Sequence, residues 1–349
     1  MARLVTCGWE SGDRFEVGIA VGSPQTVVNT NPTPRMGGAF CLKGNAENTT
    51  VMYQRFDLPN PLTELWMRFG LYMGTWDSWT SVGSFCVLMD SARAYQVSAV
   101  YNWNDNHFYL YRGERGTQLG VSTGVYAPNQ WVPVELHWLA TSAASGLFEL
   151  WVNNVRIISF SGAVVSTSNV NVQAVGIGQW APSGVNGTSY AFDDLAINDT
   201  SGTVNNARVG DGRVIYLPAN GAGNSTVLTR GGTNTGANWS QVSEVPPTMA
   251  QYVQSSNPGD RDLYTLADIA GTVINVNSVE ELVMASNSDA GPGSLGLTLQ
   301  SGPTVSESTA QVLASGIVYY SNRWELDPNT SQPWTGAAVN ALQAGVTVR

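Results

Sequence analysis

Residues Trp131 to Phe160 read WVPVELHWLATSAASGLFELWVNNVRIISF, and this stretch decides the fold class. Apolar residues alternate with more polar neighbours at Val132, Val134, Leu136 and Trp138, and again at Phe148, Leu150 and Val152. A period of two residues indicates half-buried strands. Asn153 and Asn154 stand between the second run and a third, and Asn tolerates the positive φ of a two-residue hairpin turn. The stretch therefore predicts three antiparallel strands.

The rest of the chain has the sequence pattern and the composition of an all-β protein. Further alternating runs occur at short spacing. Charged residues make up only 12% of the 349 residues, against about 25% in a typical soluble protein, and the 37 glycines suit many turns. We predict an all-β protein with two domains: a β-sandwich over residues 1–204, and a smaller β-sandwich or jelly roll over residues 205–349. Thr335 is expected to cap one short helix over residues 337–342, ending near Gly345.

Charge and cysteine content narrow the function classes. The net charge of −10 argues against partners such as nucleic acid or an anionic membrane. Cys7, Cys41 and Cys86 are odd in number and irregularly spaced, which predicts free thiols and assembly in a reducing compartment. The first ten residues contain no long apolar run, so neither a signal peptide nor membrane insertion is expected.

The first 200 residues resemble the concanavalin A-like lectin/glucanase family, which includes the laminin-G type. The resemblance rests on four segments: Glu64–Met73, Trp131–Trp138, Phe148–Asn154 and Phe192–Leu195. In that family the last of these is a closing strand. The resemblance implies a concanavalin-like sandwich, and a fold alone does not define a function.

The second part resembles virion structural proteins of tailed bacteriophages, through residues 259–264, 319–328 and 334–346. The resemblance implies a structural component of the particle, most simply a tail or fibre protein that touches the host surface. A capsid decoration or head-fibre protein and a carbohydrate-binding module without a virion role are the alternatives. The implied partners are other virion proteins, further copies of the chain and a host surface polysaccharide, and the implied location is the virion, assembled in the host cytoplasm.

Catalysis is not expected from the acidic residues. Glycoside hydrolysis needs two carboxylates roughly 5–10 Å apart across the scissile bond. Glu135 and Glu149 have no acidic partner at the spacing that glucanases of this fold use, and the only adjacent acids are Asp193–Asp194 and Glu280–Glu281. Neighbours on a strand point to opposite faces, so neither pair forms a catalytic dyad by itself. We predict that the chain is not an enzyme and has no catalytic residues.

The remaining motifs give little evidence for catalysis or metal binding. His107 and His137 are the only histidines, and each is interpreted as a structural residue on a strand face. Residues 120–124 match the letters of a nucleophile elbow, but no helix is predicted after them, as that motif requires. Asp193–Asp194 could contribute to a calcium site, or one Asp could cap a turn while the other is exposed. No metal and no cofactor are predicted.

Aromatic residues in polar loops are the candidates for ligand contact. Sugars are commonly bound on an aromatic face with amide and carboxylate groups beside it. The chain offers this combination at three places, and the predicted glycan-binding residues are Trp76, Trp79, Trp103, Asp105 and Trp180. Packing in the core or at a subunit interface is the other interpretation of these residues.

Overall fold

The structure is a computed structural model that describes residues 2–22, 25–44, 51–75, 82–180, 189–233, 235–273, 275–288 and 291–349. It confirms the all-β fold class. The chain divides into two compact units, residues 1–214 and residues 215–349, whereas the sequence placed a boundary after residue 204. Among the described residues, no helix has the length and apolar character needed to cross a membrane.

Unit 1 (residues 1–214) is built from strands. In its described part, these are β1 (Arg3–Cys7), β2 (Ile19–Val21), β3 (Thr26–Val28), β4 (Cys41–Lys43), β5 (Met52–Leu62), β6 (Glu64–Gly74), β7 (Val82–Met89), β8 (Tyr95–Asn102), β9 (His107–Arg112), β10 (Thr117–Val121), β11 (Trp131–Ser142), β12 (Ser145–Val152), β13 (Val155–Ser161), β14 (Val172–Trp180) and β15 (Ser189–Asn198). A short 3-10 helix covers Arg35–Gly37.

These strands form two antiparallel sheets, here called sheet A and sheet B. Within the described residues, sheet A has the order β13-β12-β11-β6-β15-β4-β3, with β1 also paired to β15, and sheet B has the order β10-β9-β8-β7-β14-β5-β2. One continuous apolar core includes residues from both sheets, among them Trp138, Phe148, Phe85 and Phe108. Two sheets sharing one core define a β-sandwich, and the arrangement is consistent with the concanavalin-like fold.

The stretch from Trp131 to Phe160 forms the three neighbouring strands that its sequence predicts. Trp138 lies opposite Phe148, and Phe148 lies opposite Phe160, so one face of the three strands carries aromatic rings. Asn153 and Asn154 adopt φ angles of 51° and 64° between β12 and β13. Positive φ at both positions defines the hairpin turn whose twist matches that of the flanking strands.

Unit 2 (residues 215–349) is also mostly β. Its described strands are β16 (Ala219–Thr226), β17 (Thr229–Gly232), β18 (Gln251–Gln254), β19 (Arg261–Leu266), β20 (Val279–Ala285), β21 (Ser294–Ser301), β22 (Thr304–Glu307), β23 (Gln311–Val312), β24 (Val318–Trp324) and β25 (Gln343–Val348), with a 3-10 helix at Asn238–Gln241 and the helix α1 (Gly336–Asn340). The main sheet has the order β16-β19-β25-β21-β22, with β23 beside β21. Leu297, Leu299, Trp334 and Val339 lie in its apolar core.

Three details of unit 2 and of the chain leading into it differ from the sequence predictions. The sequence of residues 213–218 and 272–278 predicts strands, but their described parts form none apart from an isolated bridge at Val276. Residues 219–240 are rich in Gly, Asn and Thr, which predicts a long loop, but they contain β16 and β17. β16 is an edge strand with the sequence ANGAGNST, held by its backbone pairing to β19. Backbone pairing needs no apolar side chains, so the polar and Gly-rich composition of this segment did not predict a strand.

Residues 205–214, here called the strap, explain why unit 1 extends beyond residue 204. The backbone N–H groups of Val209 and Gly210 donate to Glu135 Oε1 at 2.5 and 3.2 Å, and Arg208 Nε donates to Glu135 Oε2 at 2.8 Å. At its far end, the backbone N–H of Val214 donates to Asp194 Oδ1 at 2.6 Å. The strap therefore supplies partners to buried carboxylates of sheet A.

Candidate functional site

The structure describes the five predicted glycan-binding residues to different extents. Trp76 and Trp79 lie outside the described residues, in the connection between β6 and β7. Trp180 ends β14 opposite Ser84 of β7, and its side chain is likewise outside the described part. Trp103 and Asp105 lie in the turn between β8 and β9. Of the five residues, the structure describes the side chains of the last two.

Trp103 packs in the core instead of presenting a free aromatic face. Its ring is 8% exposed and lies 4.9 Å from the ring of Tyr101 and 4.8 Å from that of Tyr190, measured between centroids. Its Nε1–H donates to the carbonyl of Gly74 at 3.1 Å. Both the indole ring and its N–H group have partners inside the protein. Trp103 is therefore a core residue where β8 and β9 meet.

Asp105 organises the turn and orients a tyrosine. Its Oδ1 accepts from the backbone N–H of His107 at 3.0 Å, and its Oδ2 accepts from Asn102 Nδ2 at 2.9 Å. The hydroxyl of Tyr109 donates to Oδ2 at 2.6 Å. This hydrogen bond to Asp105, with some burial, raises the pKa of Tyr109. The tyrosine therefore remains a neutral phenol, and the half-buried carboxylate keeps acceptor capacity toward solvent.

His107, Tyr109 and Tyr111 share the outward side of β9, and we call this side the β9 face. The alternate residues Phe108 and Leu110 are fully buried in the core. The rings of Tyr109 and Tyr111 lie 6.2 Å apart between centroids and are inclined by 25°. Two nearly parallel and partly exposed rings beside Asp105 form a small aromatic platform with polar groups at its edge. The period-two pattern of residues 107–111 carries this signal in the sequence, but the predicted site contained four tryptophans and Asp105 and neither tyrosine.

His107 lies close to Ser122, the serine of the elbow-like motif, but the two do not form a nucleophilic pair. His107 Nδ1 is 2.8 Å from the Ser122 carbonyl oxygen, which requires this nitrogen to donate. Ser122 Oγ donates to the carbonyl of Gly124 and is buried. Asp105 contacts the backbone N–H of His107 and not its ring. The donor role of Nδ1 leaves Nε2 as the acceptor of the neutral ring.

His137 and Glu149, interpreted separately from the sequence, are joined on the outer side of sheet A. His137 Nε2 lies 2.8 Å from Glu64 Oε1, and Nδ1 lies 3.1 Å from Glu149 Oε2. The ring of Trp66 stacks on the imidazole at 3.8 Å and 5°. Arg156 and Ser159 donate to the other oxygen of Glu149. The cluster cross-links β6, β11, β12 and β13, consistent with a structural role for His137.

Asp193 and Asp194 are both buried, which corrects the expectation that one of them is exposed. Asp194 has a φ of 55° at a bulge in β15, so Asp193 and Asp194 both reach Arg35 instead of pointing to opposite faces of the strand. Asp193 accepts from the backbone N–H of Arg35, and Asp194 accepts from the Arg35 guanidinium. Burial and the neighbouring carboxyl raise the pKa of Asp193 to about 9. Among the described residues, no group of three or more metal-binding side chains was found.

No protein-family model and no curated protein matches the sequence. The chain is similar in structure to "Cellulose induced protein, Cip1" at 15% identity and a TM-score of 0.43, over 60% of this chain and all of that one. It is similar to alginate lyase Aly36B at 10% identity and 0.41, over 57% of this chain and 97% of that one. It also resembles the carbohydrate binding module CBM66 from Bacillus subtilis at 10% identity and 0.34, over 52% and 96%.

These likenesses concern the fold alone. Two of the three proteins are, by their names, an alginate lyase and a carbohydrate binding module. The prediction that the chain is not an enzyme is wrong, because an alginate lyase is among the proteins with a similar fold. The absence of paired glycosidase carboxylates therefore gives no ground for excluding catalysis.

Proposed function

We propose that unit 1 binds a carbohydrate on the β9 face. The observation that carries the proposal is the pair of outward-facing rings of Tyr109 and Tyr111, with Asp105 beside them. Aromatic faces remove sugar C–H groups from water, while carboxylate and amide groups accept and donate to hydroxyls. Asn104 is exposed in the adjoining turn, and Gln118 is exposed opposite Tyr111 on β10.

The chemistry of this surface favours a neutral polyol over a strongly charged ligand. Asp105 contributes one negative charge, and the positive charge of Arg115, which acts on Tyr111, is paired with Glu114 at 2.9 Å. The phenols of Tyr109 and Tyr111 both have raised pKa values, the first mainly through Asp105 and the second through burial. They are neutral hydrogen-bonding groups at physiological pH, and the platform as a whole has little net charge.

Affinity electrophoresis of the full chain in gels containing a panel of soluble polysaccharides tests this proposal. We expect retardation by at least one neutral polysaccharide, weakened about tenfold in Tyr109→Ala and in Tyr111→Ala through loss of the stacking surface. Size-exclusion chromatography of the polysaccharide after incubation shows whether binding is accompanied by cleavage, because cut chains elute later.

Tyr252→Ala is the matched control, since Tyr252 is 40% exposed and lies in unit 2. It should bind like the unmodified chain. Circular dichroism of each variant checks that the sandwich is intact. Equal retardation of Tyr109→Ala and the unmodified chain would contradict the proposal, as would the absence of binding across the whole panel.

As a second candidate, we propose that the chain is a virion component, as the resemblance of residues 259–346 to phage structural proteins implies. These residues include β24, α1 and β25 of unit 2. The proposal covers a tail, fibre or decoration role, assembly with other virion proteins and formation of a homo-oligomer. Mass spectrometry of purified particles from a host that expresses the chain tests it: the chain should remain with the particles, and its absence would reject the role.

A further inference from the structure

The apolar core of unit 2 is covered on one side by a layer of only two strands. In the described part of unit 2, β20 pairs with β24 alone, and we call these two strands the ribbon. Val283 and Tyr320 of the ribbon belong to the same apolar core as Leu297 of the main sheet. An isolated two-stranded sheet is at best marginally stable in water. The ribbon therefore depends on its side-chain contact with the main sheet.

Glu281 lies at the middle of β20, on the side of the ribbon that faces the main sheet. Alternate residues of a strand share one side, and Val279, Val283 and Ala285 of β20 pack against the apolar core. Glu281 is 9% exposed, and its Oε2 is buried without a hydrogen-bond partner among the described residues. A buried polar atom without a partner is costly. The contact between the ribbon and the main sheet thus contains an unsatisfied carboxyl group.

The basic residues of unit 2 are engaged elsewhere. There are four of them, and each has another partner within the described residues: Arg230 the carbonyl of Thr235, Arg261 and Arg349 the carboxylate of Glu307, and Arg323 the carboxylate of Glu280. Arg323 and Glu280 lie opposite each other on the ribbon and point to the side away from Glu281, because adjacent residues of a strand alternate. The charge of an ionised Glu281 would therefore have no counter-charge.

The ionisable groups that face Glu281 are themselves acids. On β19, Tyr264 is close enough for the charge of Glu281 to act on it, and the hydroxyl of Tyr264 donates to Asp262 at 2.9 Å. On β24, the ionisable residue on the same side as Glu281 is Tyr320. The strands β21 and β25 and the helix α1 contain no ionisable side chain. A nearby negative charge disfavours ionisation of a carboxyl, so these surroundings hold Glu281 in its neutral form.

We propose that Glu281 makes the closure of unit 2 dependent on pH: when its carboxyl gives its proton to solvent, the ribbon separates from the main sheet and the apolar core opens. In the closed form, burial raises the pKa of Glu281 well above its ordinary value, although the backbone N–H groups of Gly345 and Thr298 act in the opposite direction. In the open form the carboxyl is hydrated and its pKa is ordinary. A pKa that is higher in the closed form stabilises that form at low pH and loses this contribution as the pH rises.

Hydrogen–deuterium exchange of the full chain between pH 6 and pH 9 tests the proposal. Exchange is followed by mass spectrometry of peptides and corrected for the intrinsic pH dependence of amide exchange. Because one proton is released on opening, protection of β20 and β24 should fall by up to about tenfold for each pH unit. Protection of β25 in the main sheet should change much less. Constant protection of the ribbon across this range would overturn the proposal, and so would an equal loss in β25, which would mean that unit 2 unfolds as a whole.

Variants that cannot ionise at this position separate the role of Glu281 from other effects of pH. Glu281→Gln keeps the shape of the side chain, and its ribbon should be equally protected at every pH. Glu281→Met, of similar length and also uncharged, replaces it if the amide is not tolerated. Asp268→Asn is the matched control, since Asp268 is an exposed acid of unit 2, and this variant should keep the pH dependence of the unmodified chain.

The same pH dependence in a folded Glu281 variant and in the unmodified chain would likewise overturn the proposal. If neither variant folds, the pH profile of the unmodified chain decides the matter by itself.

Discussion

Glu149 and Glu10 are both buried carboxylic acids of unit 1, and their surroundings shift their pKa values in opposite directions. Burial acts to raise the pKa of Glu149, but hydrogen bonds from His137, Arg156 and Ser159 outweigh it and leave the pKa below its usual range. Glu10 has fewer donors, and burial raises its pKa to about 7. Donors decide the outcome because each hydrogen bond to the charged form stabilises it.

The raised pKa of Glu10 makes unit 1 less stable as the pH rises. A group whose pKa is higher in the folded state stabilises the fold below its unfolded pKa, and loses this contribution as the pH rises through the folded value. Relative to Glu10→Gln, the unmodified chain should therefore lose about 3 kcal/mol between pH 4.5 and pH 8. Urea unfolding across this range measures the difference, and parallel pH profiles would contradict it.

Asn153 allows a second prediction at the residue scale, because its φ is 51°. A β-branched residue is strained in the left-handed region, at a cost of about 1–2 kcal/mol. Asn153→Val should lower the free energy of unfolding by about that amount, while Asn153→Gly should change it little. Urea denaturation of the two variants provides the measurement. Equal stability of Val and Gly at this position would show that the turn conformation is not required.

At the scale of elements, the sequence predicted strands well where the core enforces alternation. β6 and β11 carry a buried residue at every second position, and their predicted ranges agree with the structure within a few residues. β16 was missed because its side chains contribute little to a core. For the candidate site, the sequence indicated the turn between β8 and β9, which adjoins the proposed β9 face. The burial of Trp103 could not be predicted, because it depends on Tyr101 and Tyr190, which only the tertiary fold brings together.

The short helix of unit 2 provides a prediction at this scale. Thr335 accepts from the backbone N–H of Ala338 at 3.1 Å, which confirms the predicted cap, while the helix ends earlier than expected and Gly345 lies within β25. Thr335→Ala should destabilise unit 2 by about 1 kcal/mol, and Thr335→Ser should retain most of the stability. Thermal unfolding measures the stability of the two variants. Serine keeps the hydroxyl of threonine but lacks its methyl group, so an equal loss of stability in both variants would show that packing of the methyl group matters and the cap does not.

At the scale of the whole molecule, the strap sets the length of the first folding unit. A fragment of residues 1–214 retains the bonds from the strap to Glu135 and Asp194, whereas a fragment of residues 1–204 leaves these buried carboxylates with fewer partners. Removing a partner from a buried charge lowers the free energy of unfolding by about 3–5 kcal/mol. We expect the longer fragment to unfold cooperatively at a higher urea concentration than the shorter one. Equal midpoints would show that the boundary at 204 is sufficient.

The three cysteines allow transient unfolding of unit 1 to be measured in the native protein. Cys7, Cys41 and Cys86 are buried and form no disulfide bond, and burial raises the pKa of the last two. All three belong to unit 1, while unit 2 has no cysteine at all. An alkylating reagent reacts with thiolates that reach solvent, so its rate of incorporation in the native protein follows the transient unfolding of the sandwich alone. Mass spectrometry of the alkylated chain would therefore time the opening of one domain in the presence of the other, without any engineered label.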